Sequence, residues 1–234
     1  MRVRGAAVCR IPMGYMVATC DALSAIGPMP GDAVAAPWPV VGRFTARVAL
    51  MGLISLGAEP ALVTATATAE AAVAGVVEEA ALAGLQAESV AWSSEHNMTA
   101  AQTAVGVTAV GLAPVLRLLR TGQGLAVLAL GRPKVGAAVK VEDPEVADLP
   151  ALHRVMACPS TLAATPAGSG GLVARAQCLA GEAGMRFIAD FPDGWPATAS
   201  AGPATSLVCV SSEPAAVGAA AGLPWAVIGR LVPC

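Results

Sequence analysis

The chain has 234 residues and a mass of 23.1 kDa, enough for one large or two small domains with a substantial core. A net charge of −2, a pI near 5.7 and 3% aromatic residues argue against a nucleic-acid partner, which needs a basic face and stacking rings. Apolar residues reach 56%, but much of the excess is alanine and valine, and no run attains the roughly 18 uninterrupted apolar residues of a membrane span.

The opening MRVRGAAVCRIPMGYMVATCDA mixes basic and apolar residues, yet Arg10, Pro12 and Gly14 interrupt any signal-peptide core and Asp21 follows; we expect a cytoplasmic protein. Residues 15–20 read as a short strand ending at Asp21. A turn-rich loop, ALSAIGPMPGDAV, leads to Asp32. Pro37 and Pro39 suit the first turn of a helix running to about Leu56, with Gly57 as its C-cap. ALVTATAT alternates as a strand, and AEAAVAGVVEEAALAGLQA reads as a long helix ending near Gln86. Residues 90–94 form another strand candidate. In the strand of TAVGVTAVGLAPVL, Gly106 and Gly111 signal a close backbone approach or a bulge.

LRTGQG, residues 119–124, is a turn that we take as a domain boundary, dividing the chain into residues 1–120 and 121–234. Beyond it we expect a strand in LAVLALGRPKVG, a helix over residues 146–156 and a loop, PSTLAATPAGSGG. A helix over 172–183, strands at 185–189 and 205–210, a helix over 213–221 and a strand at 225–231 follow. The fold class is α+β, with helices covering a sheet. The six cysteines are scattered without metal-ligand spacing and read as buried, reduced thiols; Cys20 reads as core packing.

Residues 92–111 concentrate polar side chains: Ser93, Ser94, Glu95, His96, Asn97, Thr99, Gln102 and Thr103 precede a glycine-bearing strand. Such density suggests chemistry, since each polar group needs a partner if buried. Asp21, Asp32 and Glu95 sit at strand ends or in loops and could share a magnesium ion bridging nucleotide phosphates. For Asp21 and Asp32 the alternative is a turn residue bonded to its own backbone. Arg47 is either a snorkelling surface side chain, the preferred reading, or a buried partner for a carboxylate or phosphate. Neither GxGxxG nor GxxxxGK[ST] occurs, so a nucleotide would be bound another way. PAGSGGL is either an anion-binding helix start or a flexible loop with an N-cap.

TCDALSAIGPMPGD, GRFTARVALMGLISLGAEP and SSEHNMTAAQTAVGVTAVG, in that order, resemble blocks of the AIR synthase-like (PurM-like) superfamily. The pattern is most similar to alpha-ribazole kinase-like proteins, through Ser93-Ser94-Glu95-His96-Asn97, Gln102-Thr103-Ala104 and Gly106-Val107-Thr108. GSGGLVARAQCLAGEAGM, SAGPATSLVCV and WAVIGRL resemble the superfamily's second domain. The resemblance implies a two-domain fold whose N-terminal mixed or antiparallel sheet domain binds ATP and forms a homodimer through its sheet, followed by an α+β C-terminal domain. It implies a kinase that uses ATP and Mg2+ on a small-molecule substrate, alpha-ribazole first, with thiamine-monophosphate kinase activity or a non-catalytic nucleotide-binding dimer as alternatives. Asp21, Asp32 and Glu95 would hold the metal, with Asp21, Glu95 and Asn97 catalytic. Asp32, Arg47, Thr99, Gln102 and Thr103 would contact the cofactor. The chain departs from the pattern at Gly52, where an acidic residue is expected, at Ala104 after Gln-Thr, and in having Ser93-Ser94-Glu95 for Gly-Gly-Asp.

Overall fold

The computed structural model describes residues 1–120, 122 and 125–234, which form two compact units, Met1–Leu116 and Arg117–Cys234. The expected boundary in LRTGQG involves Thr121, Gln123 and Gly124, which lie outside the described residues. Among the described residues, no helix is long and apolar enough to cross a membrane.

The first unit contains β1 (Arg2–Val3), β2 (Ala6–Ile11), β3 (Gly14–Ser24), β4 (Ile26–Gly27), β5 (Val34–Ala35) and α1 (Trp38–Ile54). It continues with β6 (Glu59–Ala67), α2 (Val73–Leu82), β7 (Val90–Ser94) and β8 (Ala104–Ala113). Six strands form one mixed sheet in the order β1-β2-β3-β8-β6-β7, antiparallel except for the parallel β6–β7 pair. Alternation explains its two faces. Val17 and Thr19 of β3 are buried under α1, and the Thr19 hydroxyl donates to the Ala49 carbonyl. Met16, Cys20, Ala22 and Ser24, on the opposite face, are exposed or half-exposed. Cys20 is therefore not core packing, because strand parity turns its thiol outward.

Pro37 caps α1, which ends at Ser55, while Gly57, at φ +78°, turns the chain toward β6. The second helix is shorter than expected: α2 stops at Leu82, and Gly84, at φ +85°, ends the turn. The two helices touch backbone to backbone, since a Cβ on Gly42 would lie 1.9 Å from the Ala72 carbonyl oxygen. In β8, a Cβ on Gly111 would lie 2.4 Å from the Glu59 carbonyl oxygen, beside the bulge between Pro60 and Leu62. Both readings of Gly111, close approach and bulge, are thus realised at one point.

The second unit is built from β9 (Leu125–Leu130), α3 (Leu149–Ala157), β10 (Thr161–Pro166) and α4 (Gly171–Glu182). It ends with β11 (Met185–Ala189), β12 (Leu207–Ser211), α5 (Pro214–Ala221) and β13 (Trp225–Pro233). Its antiparallel sheet runs β10-β12-β9-β13-β11. Leu172, Ala176 and Leu179 of α4 pack on Val127, Val208 and Val210. The expected loop PSTLAATPAGSGG is corrected: Thr161–Pro166 is a strand, and five of its six residues are buried. Burial on both faces removed the polar–apolar alternation by which a strand is recognised. The six cysteines are free, but only Cys209 is fully buried; Cys9, Cys20, Cys178 and Cys234 are exposed, correcting the buried-thiol expectation.

Candidate functional site

At the end of the six-stranded sheet, four strands bring one row of small residues together on the face away from α1. The register aligns Ala22 with Gly106, Gly106 with Thr66, and Thr66 with Ser93. The next row aligns Cys20, Thr108 and Thr64. Above the first row lies an open trough of about 560 Å³ lined by Ser24, Thr66, Thr68, Ser93, Ser94 and Glu95, with Ala22, Ala104 and Gly106 as its apolar floor. A second hollow of about 330 Å³ covers the next row. These volumes lie in or near the usual range for small-molecule sites. The β6 hydroxyls have a signal in the sequence: ALVTATAT, read with period two, places every threonine on one face.

Glu95 begins the loop after β7 and is anchored by its amide, which donates to the Ala67 carbonyl. Its Oε1 accepts from the Asn97 amide at 2.6 Å and the Met98 amide at 3.1 Å. Those two amides, Asn97 first, hold the carboxyl below its usual pKa, so it is ionised at neutral pH. Ser94 Oγ and His96 Nε2 are 2.9 Å apart. Asn97 and Thr99 are exposed on the same loop.

Asp32 has another occupation. Its Oδ2 accepts from the Met29 amide and the Thr103 hydroxyl, and its Oδ1 from the Thr103 amide, at 2.6–2.8 Å. Partial burial alone would raise its pKa, but the Thr103 hydroxyl, the Thr103 amide and the Met29 amide together outweigh that and lower it. The Ala25 amide donates to the Thr103 carbonyl, and Gln102 Nε2 donates to the Gly31 carbonyl at 2.6 Å. Gly27 makes room, because a Cβ there would lie 2.1 Å from Thr103 Oγ1. Residues 25–32 are thus clipped to residues 101–103, and Thr103 is fully buried in the clip. Of the two readings of Asp32, the turn residue holds.

Asp21 follows Cys20 on β3 and borders the second hollow, but parity turns its side chain to the α1 side with Val17 and Thr19. Burial pushes its carboxyl up to about 6, against a smaller lowering by the Ala22 amide. Arg47 corrects the preferred surface reading and meets the alternative, a buried partner for a carboxylate. It is 1% exposed, its Nε lies 2.7 Å from Glu79 Oε1, and its guanidinium stacks over Phe44 at 4.6 Å. Arg43 Nε meets the same buried carboxylate at 2.9 Å. Arg47 is buried inside the α1–α2 interface.

No protein-family profile and no curated protein sequence matches the chain. Solved structures do. HypE of E. coli, a hydrogenase maturation protein, superposes with a TM-score of 0.63 at 17% identity, over 93% of this chain and 80% of that one. A hydrogenase maturation protein HypE in complex with ATP gives 0.64 at 15%, over 92% and 77%. Thiamine monophosphate kinase from Aquifex aeolicus gives 0.60 at 13%, over 92% and 84%. The chain has an AIR synthase-like (PurM-like) fold. Within this PurM-like fold, a Cβ on Gly52 would lie 3.3 Å from Thr19 Cγ2, so an acidic residue there would reach toward β3.

The residues present do not fit the carboxylate cage that the resemblance implies for magnesium. That ion demands a near-octahedral shell of oxygens. Asp32 is engaged with three backbone and side-chain donors, Asp21 turns to the α1 side, and Glu95 stands at the trough. Among the described residues no group of three or more His, Cys, Asp or Glu is placed to hold a metal ion. The expected Asp21–Asp32–Glu95 centre is corrected accordingly: strand parity and the Asp32 clip keep the three apart.

Proposed function

We propose that this chain is an ATP-dependent phosphotransferase acting on a small nucleoside-like acceptor, with alpha-ribazole, of cobalamin lower-ligand salvage, as the specific candidate. The observation that carries the reading is the trough itself, because Ser93, Ser94, Glu95, Ala104 and Gly106, from the blocks that bear the alpha-ribazole kinase-like resemblance, line it. HypE in complex with ATP and the thiamine monophosphate kinase share the fold and support nucleotide use. Glu95 and Asn97 belong to the loop at the trough, and Gln102 and Thr103 fix the neighbouring loop. Phosphoryl transfer depends first on positioning, which a rigid sheet edge with clipped loops supports.

A homodimer through the six-stranded sheet belongs to the same proposal. Met16, Leu62 and Leu112 are 41%, 42% and 44% exposed on the face away from α1, an apolar surface that a second copy would cover. A second reading, a nucleotide-binding dimer without turnover, is favoured by Gly52 and by the engagement of Asp32. ATP consumption, followed with purified protein against alpha-ribazole, other nucleosides and thiamine phosphate, tests these readings. Turnover confined to a nucleoside acceptor and lost in Glu95→Gln is the expected result. Binding of ATP with no turnover on any acceptor would replace the kinase with the binding module.

A further inference from the structure

The two edges of the second sheet differ. β10 closes one of them with a register shift between Thr161 and Ala163, and five of its six residues are buried. β11 forms the other, in unbroken antiparallel register with β13 over all five of its residues. Just beyond it the Asp190 amide donates to the Ile228 carbonyl. In an antiparallel ladder every second residue exchanges hydrogen bonds with the partner strand, so Arg186 and Ile188, with the parity of Asp190, bond inward to β13. The amides and carbonyls of Phe187 and Ala189 therefore point outward, and among the described residues no strand or loop pairs with them. Such a row of unpaired backbone groups is a template for one more strand.

The side chains beside this edge say what that strand carries. Register sets Arg186 opposite Val232 and Ile188 opposite Arg230. Phe187 and Leu231 belong to the core under α4, so Arg186, Ile188 and Arg230 share the other face. Ile188 is 37% exposed there, and both arginines are exposed. The arginines are diagonal neighbours, and among the described residues neither forms an ion pair, with Asp190 or with any other acid. Two cations within reach of each other repel until an anion joins them. A second copy of β11 would bring the same two arginines and gather four on one face, whereas an acidic strand neutralises the two already present. We infer that β11 is a docking edge, to which an extended acidic segment of another protein adds as a sixth strand. Its backbone pairs with Phe187 and Ala189, a carboxylate meets Arg186 and Arg230, and an apolar side chain lies on Ile188. The inference concerns the second unit and is independent of the reaction proposed above.

The test is fluorescence anisotropy of the full chain with a capped, labelled peptide, Thr-Glu-Val-Ile-Thr-Glu-Val, whose alternation puts Glu, Ile and Glu on the arginine face. Two analogues accompany it, one with Lys for both Glu, the other N-methylated on the Val and Thr that flank Ile, the residues set to pair with Phe187 and Ala189. Saturable binding of the acidic peptide is expected, at least about tenfold tighter than that of the lysine analogue, with the N-methylated peptide failing to bind. At saturation, amide hydrogen exchange should slow at Phe187 and Ala189 and stay unchanged at Arg186 and Ile188. Ala189→Pro removes an outward donor without breaking a bond to β13 and should weaken binding about tenfold or more. Arg186→Glu combined with Arg230→Glu should invert the preference between the acidic and lysine peptides. The N-methylated peptide is tested on the unaltered chain, so its result stands whether or not the variants fold. The inference is overturned if the acidic peptide does not saturate, if the lysine or the N-methylated analogue binds equally well, or if the Phe187 and Ala189 amides stay unprotected in the complex. Self-association in sedimentation velocity that Ala189→Pro abolishes would also overturn it, by replacing the acidic partner with a second copy.

Discussion

Asp21 should make the wild-type protein lose stability as the pH rises, and Asp21→Asn isolates the effect. Burial on the α1 side moves its carboxyl from 3.8 to about 6. Between those values the native state holds the proton more tightly than the unfolded chain, so stability is full below the unfolded pKa and declines as pH rises through the folded one. The shift corresponds to about 3 kcal/mol at 1.36 kcal/mol per unit, and partial exposure reduces this to roughly 1–2 kcal/mol. Urea unfolding of wild type and Asp21→Asn at matched pH gives the difference directly, because other titrating groups cancel. Relative to the asparagine variant, the wild type should lose about 1–2 kcal/mol between about pH 4 and about pH 7. A flat difference across that window, or one that grows in favour of the wild type, would show that the carboxylate is stabilised as an ion and would refute the burial argument.

Removing one partner of the buried Arg47–Glu79 pair, as in Glu79→Gln, should cost about 3–5 kcal/mol in urea unfolding, because Arg47 and Arg43 lose a fully buried counter-charge. Asp32→Ala should raise amide hydrogen exchange at Thr103 and Met29 while leaving exchange in the α1–α2 interface unchanged. Gly111→Val should destabilise the first unit by about 2 kcal/mol or more in urea unfolding, since its Cβ would collide with the Glu59 backbone and not with a movable side chain. Leu112→Glu should convert a sheet-mediated dimer to a monomer in sedimentation velocity, and an unchanged sedimentation coefficient would locate any dimer contact elsewhere.

Much of the fold was legible because its elements carry clear local signals. Val90–Ser94 and Met185–Ala189 were delimited to the residue, and the proline-led α1 began within one or two residues of the expected place. The failures have physical causes. β10 escapes sequence reading because, although an edge strand, five of its six residues are buried, which removes the alternation. The second helix was drawn too long because alanine-rich sequence continues to favour helix past the point where Gly84 turns the chain.

The candidate site was legible only in part, because it combines residues whose placement follows from two different rules. Strand parity can be read from sequence: Asp21 is odd with Thr19, and Ser24 is even with Ala22, so Asp21 and the trough had to fall on opposite faces once Thr19 was known to face α1. What sequence does not give is which face a helix will cover. Loop contacts follow no period at all, and Asp32 reaches Thr103 across 71 positions through a turn that Gly27 and Gly31 leave open. Three carboxylates at strand ends or in loops therefore suggest one centre, whereas the fold distributes them among a buried face, a loop clip and a trough wall. The same distribution explains why Glu95 stands as the only charge among the described lining residues of the trough: its former companions in the sequence reading are held elsewhere by hydrogen bonds and burial, not removed from the chain.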